Sequence, residues 1–355
     1  MKVLLISPRP PLRDGKGDSI RAVALLEALR LGHEVELFVP SAPLRKRLLA
    51  AVVDLLVGRP AQVGWSMPPV AWTQATRAAK NADVVVAITV RAVRGPLATA
   101  LVIDHVDALS LNWAQRARGP EGLARRTVAR IEAARLYRWE SRVAGWALAQ
   151  LVVTSQDGAH LPVSSPVHVV PHAVTNRIES CDDRDIDVVF TGNMRYPPNT
   201  EAALWLDREI APALLSLCPS ARVVVAGRGA DRLQLNNVEV MSDVPSIPAV
   251  LARSRVAIVP MTDIGTGLPN KALEAAACGA ALVVTPWLSE RLQVPARLAR
   301  DAAGLAAQTA ALLADEPARL ALADDARGAL ANYGTQQIAQ QLDEVLIAVT
   351  GLIHT

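Results

Sequence analysis

Lys271 and Glu274 stand three residues apart at the start of a helical pattern, just after a glycine-rich loop. At that spacing a cation and a carboxylate share one helix face. The loop runs Gly265, Thr266, Gly267, Leu268 and then Pro269, a residue suited to a first helical position. Backbone N–H groups in such a loop, with the partial positive charge of the helix start, make a site for anions. Phosphates on the loop and Lys271, with ribose hydroxyls on Glu274, are the chemistry of a sugar nucleotide. An ordinary strand–helix crossover with both side chains solvated is the alternative that these residues alone leave open.

The elements that must hold this pair are readable around it. Residues 256–260 form a short apolar run, as a buried parallel strand does. A small-residue helix continues to Ala277, Gly279 ends it, and residues 281–284 are the next strand. A second candidate cluster lies just past the apolar strand 188–191. There Gly192 allows close backbone approach, and Arg195, next to Asn193, offers a planar fork to a diphosphate.

The G-x-G-x-x-N-K-x-L-E-A pattern of residues 265–275, placed before an apolar strand, resembles the donor-site segment of the retaining GT-B glycosyltransferases of family 4. Residues 188–206 (VVFTGNMRYPPNTEAALWL) resemble the opening of the nucleotide-sugar domain in one branch of that family. That branch includes sugar transferases associated with exopolysaccharide and exosortase gene systems. The resemblance is strong over about residues 187–290 and looser before them. It implies an α/β GT-B architecture, with two Rossmann-like domains facing across a cleft. It implies an enzyme that moves a hexosyl or related group from a nucleoside diphosphate sugar with retention. It also implies that Arg195 and Lys271 neutralise the donor diphosphate, with Gly192, Asn193, Gly265, Thr266, Gly267, Leu268 and Glu274 around the donor. Many members of the family carry a glutamate where this chain has Thr266, and Pro-Asn-Gly-Val where it has Pro171-His172-Ala173-Val174.

The first half of the chain opens as strand, loop and helix. Residues 3–7 are apolar, Gly15 and Gly17 punctuate the loop, and Asp18 or Ser19 is placed to cap a helix over 20–29. Position 20 is Ile, so the dinucleotide fingerprint G-x-G-x-x-G is incomplete and a nicotinamide-dependent oxidoreductase is disfavoured. In the resembled family this glycine loop lies across the cleft from the diphosphate, which adds Gly15 and Gly17 to the donor set. Residues 101–104 form a strand that runs into Asp104, His105 and Asp107. Polar groups past a strand's C-terminal end lie where open α/β sheets bind ligands. The three are candidates for the acceptor side, with His105 as a base on the acceptor hydroxyl; capping of the strand is the plainer role for it.

Composition bounds the rest. The 355 residues are 51% hydrophobic and 20% charged, with a net charge of +3, too slight to argue for nucleic acid. Three separated cysteines indicate neither a disulfide framework nor a zinc site, and a reducing cytoplasm is expected. Met1-Lys2 leads straight into a strand, so no signal peptide is expected. Asp185-Ile186-Asp187 is a D-x-D, but it opens a domain ahead of a strand; no metal and no cofactor are expected, the nucleotide sugar being a co-substrate. Arg45, Lys46 and Arg47 precede an apolar helix over 43–57. That stretch can lie on an anionic membrane surface, peripherally at the inner face; a helix turning its apolar side to the core is the favoured reading. The acceptor is left open among glycan, lipid-linked and small-molecule classes. Expected domains are 1–178, a linker at 179–187, a nucleotide-sugar domain at 188–334, and a last helix at 335–355 crossing back to the first. A nucleotide-sugar-binding protein of the same fold without transfer is the alternative function.

Overall fold

Short runs of Val, Leu, Ile and Ala, bounded by loops, become the inner parallel strands, covered on both faces, while the edge strands are partly exposed. The structure, a computed structural model, describes residues 1–12, 17–118, 122–162, 164–174, 183–261 and 270–352. The chain divides into two units.

The first unit holds residues 1–173 and the helix Thr335–Gly351. Its strands are β1 (Lys2–Ile6), β2 (Glu34–Phe38), β3 (Val84–Ile88), β4 (Ala100–Asp104), β5 (Ala149–Val152) and β6 (Val167–Val169). All pair in parallel, in the order β2-β1-β3-β4-β5-β6. β3 is buried along its whole length, which is why it reads as an unbroken apolar run. The helices are α1 (Gly17–Leu29), α2 (Leu44–Leu56), α3 (Ala61–Ser66), α4 (Pro69–Ala79), α5 (Leu109–Arg116), α6 (Leu123–Trp146) and α7 (Ser155–His160). One apolar layer joins Leu25 and Leu29 of α1 to Ile338, Leu342 and Leu346 of the last helix; the layer on the other face holds Met67, Leu136, Trp139 and Val143.

The second unit repeats the scheme with β7 (Ile186–Thr191), β8 (Val223–Gly227), β9 (Glu239–Ser242), β10 (Ser254–Val259), β11 (Ala281–Val284) and β12 (Arg297–Leu298). The order is β12-β11-β10-β7-β8-β9, again all parallel. Its helices are α8 (Pro197–Trp205), α9 (Ala211–Leu217), α10 (Ile247–Ala252), α11 (Asn270–Ala277), α12 (Pro286–Ser289), α13 (Ala302–Ala314) and α14 (Glu316–Ala329).

Several local expectations shift. The helix after β7 begins at Pro197 and passes through a π turn at Leu206–Ile210. Pro212 comes next and has no N–H to give, so the backbone ladder widens there. α1 begins before Ile20, and neither Asp18 nor Ser19 acts as a simple cap. The Asp18 carboxylate is taken by Arg9 at 2.6 Å and Arg91 at 3.2 Å, and the Ser19 hydroxyl donates to the Pro10 carbonyl. α2 reverses the favoured reading of its sequence: its leucines and valines are exposed, and Asp54 faces inward with 0% exposure. Among the described residues no helix is long and apolar enough to cross a membrane.

Candidate functional site

In the second sheet the strand order reverses between β7 and β10. The chain leaves these two strands in opposite directions, which opens a crevice past their carboxyl ends. Gly192, Asn193 and Arg195 come directly after β7, and the loop after β10 leads into α11 with Lys271 and Glu274. The topology therefore brings the two predicted clusters to one place. Gly265, Thr266, Gly267 and Leu268 lie outside the described residues, as does Gly15 of the first unit.

Asn199 joins the clusters. It is 7% exposed, in the first turn of α8, and its Nδ2 donates to the Asn193 carbonyl at 3.0 Å. Its Oδ1 accepts from Lys271 Nζ. The same ammonium lies 4.9 Å from the Phe190 ring centre and 3.6 Å from Met261 Sδ. One amide, one aromatic face and one thioether are weak solvation for a cation. Burial accordingly pulls Lys271 down to about 7, opposed by the neighbouring Glu274, and burial pushes Glu274 up against the pull of Lys271. Both side chains are half-buried. The pair is an under-solvated cation with a carboxylate beside it, each pushed toward its neutral form by burial and each opposed by the other's charge.

The loop after β7 is held by close backbone packing. A Cβ on Gly192 would lie 2.9 Å from Asn199 Nδ2, and one on Gly227 would lie 2.0 Å from the Gly192 carbonyl. Gly227 has φ +133°, open only to glycine in practice. Met194 N–H donates to the Arg228 carbonyl at 2.9 Å, joining the loops after β7 and β8. Arg195 is exposed, its own N–H held by Asn193 Oδ1 at 3.0 Å, and Arg228 on the adjoining loop is exposed too. Sequence reading missed Asn199 and Arg228; an asparagine in a helix's first turn and an arginine between glycines carry no spacing signal. Asp185 and Asp187 are engaged with arginines: Asp185 with Arg222 at 2.6 Å and with Arg253, Asp187 with Arg255 at 2.8 Å.

In the first sheet the order reverses between β1 and β3. Gly17 opens α1 beside that point, and Arg9, Asp18 and Arg91 form an ion-pair group there that the sequence did not single out. At the end of β4, Asp104 is fully buried against Arg21, Oδ2 to Nε 2.7 Å. Arg21 also donates to the carbonyls of Pro171 at 2.6 Å and Val170 at 2.8 Å. Asp104 thus anchors α1 to the strand ends and its carboxylate is not directed outward. His105 is 1% exposed, with Nε2 3.0 Å from Gln150 Oε1. Gln150 Nε2 donates to the carbonyls of Pro162 and Ser165, both at 3.1 Å, so its oxygen accepts and His105 Nε2 carries the proton. Burial lowers His105 to about 4, so its imidazole is neutral at physiological pH. Asp107 is half-buried, its N–H donating to the His105 carbonyl at 2.7 Å. Thr89 and Val106, at the ends of the adjoining strands β3 and β4, have φ of 61° and 65°. Two β-branched residues in the left-handed region mark a strained corner. His172, noted as a departure from the family pattern, is buried and lowered to about 3 by burial and by Arg21.

Residues 185–315 match the family model described as Glycosyl transferases group 1. No curated protein matches the sequence. Among solved structures the chain is similar to sucrose-phosphate synthase from Thermosynechococcus elongatus, with 14% identity, 99% of each chain covered and a TM-score of 0.67. It is also similar to Anabaena HepE, solved in complex with UDP-glucose, with 16% identity, 98% of this chain and 100% of that one covered, and a TM-score of 0.62. AviGT4, a glycosyltransferase of avilamycin A biosynthesis, gives 18% identity, coverage of 99% and 98%, and a TM-score of 0.57. At these identities the likeness is one of fold: α/β with two parallel six-stranded sheets, as in GT-B glycosyltransferases.

Proposed function

We propose that this chain is a retaining glycosyltransferase of the family 4 kind, transferring a hexosyl or related group from a nucleoside diphosphate sugar to an acceptor without a metal ion. The carrying observation is Lys271, an ammonium held by Asn199 and Phe190 at the strand-order reversal, with burial lowering it to about 7. The group 1 match over 185–315 spans this same region and supports the reading.

The diphosphate leaving group gains negative charge as the anomeric bond breaks. Arg195 and the protonated Lys271 stabilise that charge more in the transition state than in the ground state, which is what accelerates the step. The start of α11 adds about 0.3–1 kcal/mol, or ~2 kcal/mol when partly buried. The two cations therefore carry most of the stabilisation. Glu274, half-buried, accepts from ribose hydroxyls. The D-x-D carboxylates spend their charge on Arg222, Arg253 and Arg255, which favours cationic side chains over a metal as the diphosphate's partners. The acceptor is a glycan, a lipid-linked saccharide or a small molecule, and the cytoplasm is the proposed compartment.

A nucleotide-sugar-binding protein without transfer is the second reading. It is favoured by the buried, neutral His105 and by the engagement of Asp104 with Arg21. A thermal-shift screen against UDP, GDP, ADP, CMP, dTDP and their common sugars, with and without EDTA, tests both. Since HepE was solved with UDP-glucose, the uridine pair comes first. A ligand at a hundredfold excess over Kd stabilises by about 2.7 kcal/mol. An EDTA-insensitive shift with one nucleotide, and then acceptor-dependent release of that nucleotide, is the expected result. A shift without turnover favours the binding protein, and no shift with any nucleotide overturns both.

A further inference from the structure

α2 is built inside out. Its inner face is small and polar: Ala50, Asp54 and Arg47. Asp54 is fully buried, bonded to Arg94 Nη1 and Nη2, both at 2.8 Å. Arg47 reaches back to the Pro40 carbonyl at 2.9 Å. α3 crosses against the same face, so closely that a Cβ on Gly64 would lie 2.3 Å from the Ala50 carbonyl oxygen. These contacts fix the rotation of the helix. They leave every leucine and valine from Leu44 to Val57 between 44% and 80% exposed. At 100° per residue these positions cover about half the helix circumference, far more than the scattered apolar residues of an ordinary surface.

On α2 and on α6 the exposed charged side chains are all basic. Arg45 and Lys46 are exposed in the first turn of α2. α6 is tied to the α2–α3 pair by Gln62, 3.2 Å from Glu132, and by the Arg59 guanidinium, 5.6 Å from the Trp139 ring centre. α6 exposes Arg125, Arg130, Arg138 and Arg142, while its two carboxylates, Glu132 and Glu140, are buried at 8% and 0%. In both helices, then, the acids point inward and the exposed charges are cationic; in α2 the large apolar groups point outward as well.

We propose that α2, with the arginines of α6, docks the protein on an anionic lipid surface. The helix lies in the interface plane, its leucines and valines among the acyl chains and Arg45 and Lys46 at the headgroups. With 13 residues at 1.5 Å each it is about 20 Å long, too short to span a bilayer. A second copy of this chain is a poorer occupant, because it brings the same cations to the contact. This inference does not depend on the donor site.

The test is flotation of the full chain with vesicles of phosphatidylcholine alone and with about 30% phosphatidylglycerol, at low and high salt. Expected is at least a tenfold preference for the anionic vesicles, weakened by salt. Leu49→Ser/Leu56→Ser and Arg45→Glu/Lys46→Glu change exposed positions, so both keep the wild-type melting temperature. Each is expected to lose tenfold or more of the partitioning, with the nucleotide thermal shift unaltered. Equal binding to both vesicle types, or undiminished binding by either double variant, overturns the proposal. So does a dimer in sedimentation that Leu49→Ser/Leu56→Ser dissolves while no vesicle binding occurs.

Discussion

Lys271 donates its ammonium hydrogen to Asn199 Oδ1, and the other end of that amide donates to the Asn193 carbonyl at 3.0 Å. One side chain on α8 thereby sets both the proposed diphosphate cation and the loop that carries Arg195. The ammonium is poorly solvated in this arrangement, and its lowering to about 7 records that. In the proposed donor site an entering diphosphate adds negative charge to that of Glu274 and draws a proton onto Lys271.

Nucleotide affinity should therefore depend on pH with a definite sign. Below about 7 Lys271 is already charged and affinity is flat. Above it, binding must take up a proton, so Kd rises by up to tenfold per pH unit until the pKa of the bound state is reached. Calorimetric titration at pH 6 to 9 in buffers of different ionisation enthalpy measures the uptake directly. Lys271→Met should weaken binding at pH 6 and flatten the slope. A slope that persists in this variant removes Lys271 from the site.

The same lowering bears on stability without ligand. In the unfolded chain Lys271 titrates near 10.5, so between about 7 and 10.5 the unfolded state binds more protons and stability rises with pH. Lys271→Met removes that dependence. At pH 6 the variant should melt a few degrees above the wild type, since a poorly solvated cation is gone, and the gap should close toward pH 10. Melting curves across this range decide it. A variant that melts lower at every pH shows that Asn199 and Phe190 solvate the ammonium well.

Asn199→Asp replaces the amide with a carboxylate beside Lys271. The new charge raises the Lys271 pKa, repels the incoming diphosphate and removes the donor to the Asn193 carbonyl. Nucleotide Kd should rise at least tenfold at pH 7, about 1.4 kcal/mol, and the pH slope above 7 should vanish. Unchanged affinity means that Asn199 merely packs α8.

How much of this was legible in the sequence depends on the kind of residue. Gly192 and Arg195 stand right after one apolar run, and Lys271 and Glu274 open the helix that follows another. Parallel strands deliver the residues just past their carboxyl ends to one edge, so order along the chain sufficed to group them. Arg21 lies within a helix, where an arginine reads as solvated; only the fold, which brings the end of β4 to α1, shows that it meets Asp104. His105 reads as a polar group at a strand end, but its burial comes from Gln150 on β5, a long-range partner. For α2 the periodicity marked an apolar face without saying which way it turns. The buried Asp54–Arg94 pair, 40 residues apart in sequence, decides that.

Gly227 tests the backbone packing under the site. Its φ of +133° is strained for any side chain, and a Cβ there meets the Gly192 carbonyl at 2.0 Å. Gly227→Ala should cost more than ~2 kcal/mol in urea unfolding and impair nucleotide binding by displacing Gly192. Gly229 is the control: at φ +75° its Cβ would lie 3.3 Å from Arg195 Cγ, a flexible neighbour. Gly229→Ala should cost about 1 kcal/mol. Equal costs at the two positions mean that the Gly192–Gly227 approach is slack.

The Arg21–Asp104 pair, both side chains at 0% exposure, gives the largest expected stability effect. Arg21→Met leaves the Asp104 carboxylate buried with Val106 N–H as its donor at 2.8 Å, and strands the Val170 and Pro171 carbonyls. Breaking a buried pair from one side costs about 3–5 kcal/mol. Asp104→Asn added to Arg21→Met removes the stranded charge while an amide oxygen still accepts from Val106, so the double variant should recover at least ~1 kcal/mol. Denaturant unfolding of the wild type, both single variants and the double variant gives the coupling energy. If the double variant is no more stable than Arg21→Met alone, the loss lies in the stranded carbonyls and the packing of α1, and the carboxylate's charge is not what Arg21 is there to balance.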